Sequence, residues 1–169
     1  MSDADTRPEP PDTADERSTL EGFLEFHRAT LLWKCEGLTD EQLKRRSVPP
    51  STLTLLGLVR HLADVERSWF RRRLAGLDVP PLYWSDSNPD GEFDDVESAD
   101  VAADLAAYRA EVEACRAAAA GVPLETTFKS RYDRVFSLRW LYSHMIEEYA
   151  RHNGHADLLR QAIDGATGE

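Results

Sequence analysis

From Ser137 to Gly165 the chain reads SLRWLYSHMIEEYARHNGHADLLRQAIDG, and its apolar residues keep helical register throughout, despite the Asn153-Gly154 pair. Ser137 supplies a hydroxyl suited to cap the start. A helix of this length with an apolar stripe needs other apolar helices to cover it, and the rest of the chain offers them. Leu20, Phe23, Leu24, Phe26, Leu31 and Trp33 predict a first helix from Thr19 to a C-cap at Gly37. Thr39-Asp40-Glu41 starts a short helical turn that Pro49-Pro50 terminates. Leu55, Leu58, Leu62, Val65 and Trp69 mark one face of a second long helix, capped by Ser51 or Thr52 and ending near Gly76. An alanine-rich third helix, with Ser98 as its cap, runs to Gly121 and turns Val101, Leu105, Tyr108 and Val112 inward.

Residues 77–97 hold prolines, Asn88, Gly91 and several acids, and read as a long connection with Tyr83, Trp84 and Phe93 as anchors or pocket walls. LETTFKSRYDRVF, from Leu124 to Phe136, has β-formers but no turn pair for a hairpin, and reads as a loop. No internal repeat and no period-two strand stand out. The expectation is therefore all-α: a four-helix bundle with one long crossover over residues 17–169. Residues 1–16 are proline-rich, acidic and almost devoid of apolar side chains, so an N-terminal disordered tail is expected there.

With 41% hydrophobic and 30% charged residues the composition is that of a globular domain. The formal charge of −11 argues against nucleic acid as a partner, because phosphate binding is driven by Lys and Arg. Arg71, Arg72 and Arg73 form a local basic run, read as a solvated helix face rather than an anion site. No segment approaches the roughly 20 apolar residues of a membrane span, and no signal pattern opens the chain, so no membrane partner and a cytoplasmic location are expected. Cys35 and Cys115 lack metal-binding or disulfide spacing and read as small buried hydrophobes.

The chemistry concentrates in the last helix. His144, Glu148, His152 and His155 fall within an arc of about 80° on its wheel. Leu141, Met145 and Leu159 share that side, so the polar stripe faces the bundle interior, where unpaired polar groups are costly. Glu148 and His152 stand one turn apart, the spacing that lets two side chains converge on one ion. His61, at the edge of the apolar face of the second helix, is the outstanding third donor. Three such ligands leave positions open for water or substrate, the pattern of a catalytic site. Zinc and nickel suit the donors, as do iron and manganese. The plainer alternative is a set of hydrogen-bonded interior histidines, with Glu147 and Glu148 paired to Arg151 on a wet face.

The segments LTLLGLVRHLADVERSWF and SLRWLYSHMIEEYARHNGHADLLRQAIDG resemble the DinB-like proteins, in particular a branch of actinobacterial proteins grouped as a domain of unknown function. The resemblance covers essentially everything after Thr19. It implies a four-helix bundle with a divalent metal held by one residue of the second helix and two, spaced i, i+4, of the last. By position these are His61, Glu148 and His152. Many DinB-like relatives carry histidine at the second position, whereas the mycothiol-dependent maleylpyruvate isomerases of the same superfamily resemble this chain in having glutamate. His155 stands where many relatives have glutamine, which makes it a pocket residue or a supporter of the ligands, and His144, a turn away, would orient Glu148.

Superfamily members use low-molecular-weight thiols such as mycothiol, activated as thiolates by the metal, so the resemblance implies a metal-dependent transferase or isomerase for a small molecule. Arg60, Arg67 and Arg139 are candidates to receive an anionic thiol cofactor, against the plainer reading of exposed helix-face arginines. Two other readings stand beside this one. The same ion could lower the pKa of a bound water for hydrolysis, with Glu147 or His155 moving protons. Or the site could be structural in a non-enzymatic stress-response protein that forms a homodimer, Gly154 giving close helix approach opposite the ligand stripe. That glycine equally reads as a helix defect costing about 1 kcal/mol.

Overall fold

The computed structural model describes residues 6–130 and 132–168. Helix α1 (Glu16–Cys35) begins where the Asp15 carboxylate accepts the Ser18 amide. A single turn, α2 (Asp40–Leu43), follows, closed by a capping box in which Thr39 and Gln42 satisfy each other's backbone amides. Helix α3 (Leu55–Glu66) starts at Thr54, not at Ser51 or Thr52: the Thr54 hydroxyl accepts the Gly57 amide. The two earlier hydroxyls sit in the irregular stretch after Pro49-Pro50, and the first buried apolar pair, Leu55-Leu56, sets the true start. Arg67–Leu74 continues α3 as a π-helix, and Gly76, at φ 66°, lies just past its end.

The crossover contains a short helix, α4 (Gly91–Asp94), and a 3₁₀ turn, Val96–Ser98. Helix α5 (Val101–Ala119) is capped by Asp100, which accepts the Ala103 amide, while Ser98 belongs to the preceding turn. The segment expected to be a loop holds a hairpin, β1 (Thr127–Lys129) against β2 (Val135–Ser137), with Phe128 opposite Phe136. Its turn uses Asp133 in the left-handed region, at φ 58°, instead of a glycine pair. Helix α6 (Leu138–Asp164) is capped by Ser137, as the sequence suggests. The fold is thus mostly helical, with this small hairpin as the correction.

Helix α1 lies along α6 and α3 along α5, with α3 also touching α1 and α6. Leu24, Leu31, Leu55, Leu62, Tyr108 and Leu141 are among the residues filling the space between them. Asn153 does not break α6, because its Nδ2 donates to the His27 carbonyl of α1 at 3.0 Å. Residues 6–15 form no helix or strand, yet Arg7 stacks over Phe26 and Trp33 and donates to Thr30 at 3.0 Å. The first five residues of the expected tail lie outside the described residues. Both cysteines are buried, and burial pushes the Cys35 thiol up to about 12.

Inside the bundle sits a polar network that no periodicity announces. Arg28 donates to both oxygens of the fully buried Glu66, at 2.6 and 2.7 Å. Tyr149 donates to Glu66 at 2.9 Å and lies 2.8 Å from the hydroxyl of Tyr108, joining all four long helices.

Candidate metal centre

His61 from α3 and Glu148 with His152 from α6 bring one donor atom each to within 4.8 Å of one another. The span is close to twice the roughly 2.0–2.2 Å bond that imidazole and carboxylate make to zinc. Two imidazoles and one carboxylate are donors that borderline divalent ions accept, so the residues fit such an ion. His152 Nε2 lies 3.4 Å from Glu148 Oε2, and the His61 and His152 rings stand edge to face at 4.7 Å. All three are half-buried.

The outer nitrogens of both imidazoles are engaged. His61 Nδ1 lies 3.2 Å from Glu92 Oε1 and His152 Nδ1 lies 3.3 Å from His155 Nδ1. A carboxylate can only accept, so the hydrogen bond between the two is one that Nδ1–H of His61 donates. The adjacent His152 imidazole holds Glu148 below the usual carboxylate range against the opposing effect of burial. Burial pushes Glu92 upward, but the bond from His61, its own backbone amide and the nearby His61 and Arg60 charges together leave it below its ordinary value. Burial, with the neighbouring His152 and Arg151, lowers the His155 pKa below its ordinary value.

The supporting residues divide. His155 touches His152 directly, whereas His144 Nε2 is 3.9 Å from Glu148 Oε1 and its ring stacks on Trp140 at 4.9 Å. Trp69 packs edge-on against the same His144, and Phe136 from the hairpin completes the aromatic wall. Glu147 faces outward, half exposed, bonded to Arg151 at 2.6 Å and within 3.5 Å of His144. Of the crossover aromatics, Phe93 stacks on His61 and Tyr83 covers Arg60.

The three arginines named as candidates for an anionic cofactor each have protein partners. Arg60 is buried under Tyr83, 3.6 Å from Asp104, rather than on an exposed face. Arg67 is committed to Glu111 and the Pro80 carbonyl, and Arg139 to Glu16 and Glu125. The Arg71–Arg73 run is likewise not uniformly solvated: Arg71 binds the buried Glu111, and Arg73 lies over Trp69. A groove is lined by Arg72, Arg73, Asp78, Trp84 and Lys129, and its Arg73 lies over Trp69.

The residue that sequence reasoning missed is Glu92. It lies in the acid-rich run EFDDVE, where no spacing singles out one carboxylate, and only the folded crossover buries it beside His61.

The sequence profile of the mycothiol-S-transferase family matches residues 19–165, which spans α1 to α6 and includes every residue of this cluster. No functionally curated protein matches the chain.

Proposed function

The chain belongs to the mycothiol-S-transferase family, and we propose that it joins an intact low-molecular-weight thiol of the mycothiol type, through its sulfur, to an electrophilic small molecule, at a divalent ion held by His61, Glu148 and His152. The observation that carries the reading is the convergence of those three half-buried donors within 4.8 Å. A bound zinc or nickel ion would supply the acidity that makes a thiol a thiolate at neutral pH. His61 and His152 present their inner nitrogens because Glu92 and His155 occupy the outer ones. Glu148 adds a negative charge that favours the ion over a neutral site. The wall of Trp69, Trp140 and His144 shields one side of the cluster, and the groove with Arg72, Arg73 and Lys129 offers cations to polar or anionic groups of the thiol or its acceptor. Sulfur forms a bond to the electrophilic carbon as the leaving group departs, and the thiol proton passes to solvent.

Purified protein is expected to carry stoichiometric metal that His61→Ala and His152→Ala lose. Consumption of a chromogenic alkylating electrophile should then require both mycothiol and the ion. Unchanged metal content in both variants would falsify the ligand assignment. Hydrolysis is the second reading, favoured by one observation: His155 touches His152 and could relay a proton from a bound water. Turnover of ester or amide substrates without added thiol would select it. Glu147, turned toward Arg151, is not placed for that task.

A further inference from the structure

The crossover is fastened to α3 at three successive turns. At Gly57 the missing side chain admits Phe93, whose Cδ1 would lie 2.5 Å from an added Cβ. At His61, Phe93 stacks on the ring and Glu92 meets Nδ1. At Asp64 the carboxylate accepts the backbone amides of Leu82 and Tyr83, at 2.7 and 2.9 Å. Positions 57, 61 and 64 share one face of α3, so the strap and the imidazole are one packed unit.

Within that unit Glu92 is only 7% exposed, and its second oxygen, Oε2, is buried without a hydrogen-bond partner. Burying a carboxylate in this way is costly unless its negative charge is used. Its other oxygen, Oε1, lies 3.2 Å from His61 Nδ1.

We propose that Glu92 is a positioning residue for the metal centre: by accepting the Nδ1 proton of His61 it fixes the ring and its tautomer, so that Nε2 is held ready for the ion. The inference rests on the metal reading of His61, Glu148 and His152. Glu92 acts through His61 and is not itself a ligand. Without it, His61 Nδ1 loses its carboxylate acceptor and the neutral ring reverts toward the Nε2–H tautomer that free imidazole side chains prefer, which blocks the donor atom.

The test uses the full chain, stripped of metal and titrated with zinc against a chelating indicator, for wild type, His61→Ala, Glu92→Ala and Glu92→Gln. Glu92→Ala is expected to weaken zinc binding by about 10- to 100-fold, the usual effect of losing such an outer partner. Glu92→Gln, which keeps an accepting oxygen and the side-chain volume, should fall between the two and guards against a folding defect. Nitrogen-15 shifts of the His61 ring in the metal-free protein should report Nδ1–H in wild type and a shift toward Nε2–H in Glu92→Ala. Unaltered zinc affinity and tautomer in both variants overturn the proposal while leaving the metal reading intact. Absence of zinc binding in wild type overturns both. A changed coordination number in the visible spectrum of the cobalt-loaded Glu92→Gln protein makes Glu92 a direct ligand and also overturns it.

Discussion

The buried pairing of Arg28 with Glu66 shows what a single residue can commit the bundle to. Two short hydrogen bonds and a third from Tyr149 satisfy a carboxylate that is wholly removed from water. Removing one partner of such a pair leaves an uncompensated charge and typically costs about 3–5 kcal/mol. Arg28→Met is therefore expected to lower unfolding free energy by about that much in urea denaturation, and adding Glu66→Leu should recover part of the loss. Neither residue stands out in the sequence: an arginine in α1 and a glutamate in α3 look like ordinary helix-face charges until the tertiary fold aligns them. The donors of the candidate site are different. Glu148 and His152 repeat with the helix period on the apolar side of α6, and His61 borders the apolar face of α3, so local pattern suffices to single them out. Glu92 depends on how an irregular crossover packs, which periodicity does not encode.

Among the elements, the long helices are legible because their apolar residues recur at 3.6-residue spacing, whereas the hairpin is not, since its turn relies on Asp133 adopting a left-handed conformation. The same dependence on context governs the contact of α1 with α6. Asn153 Nδ2 donates to the His27 carbonyl and lies 3.3 Å from His27 Nδ1, which can accept only if the ring is neutral at that nitrogen. Burial lowers the His27 pKa below its ordinary 6.5. Below about pH 6.5 the unfolded chain takes up a proton that folded His27 refuses, so stability is lost as pH falls through that value toward the lower folded one. Melting temperature plotted against pH should thus decline between about 7 and 5, and His27→Gln should flatten that part of the curve relative to wild type. In the strap, Gly57→Ala forces Phe93 away from α3; overpacking of this kind costs about 1–3 kcal/mol. The expected result is a lower melting temperature together with weaker zinc binding, since the displaced segment carries Glu92.

At the scale of the whole molecule, the three donors join two helices that otherwise belong to different pairs, α3 with α5 and α6 with α1. An ion bound there crosses the bundle at the same seam that the Tyr149–Glu66 hydrogen bond spans, and adds a further polar tie between the halves. An ion that binds only the folded chain adds RT ln(1 + [M]/Kd), about 4.1 kcal/mol at a thousandfold excess over Kd. For a domain of this size each kcal/mol moves the melting temperature by about 2–4 °C, so saturating zinc should raise it by about 8–16 °C over the EDTA-treated protein. His152→Ala should abolish the zinc-dependent rise while melting close to the metal-free wild type. Chelation also separates the catalytic from the purely structural reading. If the site serves catalysis, EDTA removes thiol-dependent turnover and readded zinc restores it in step with the melting temperature. A full thermal response with no turnover on any thiol or electrophile tested would instead mark the ion as a clamp between the two helix pairs.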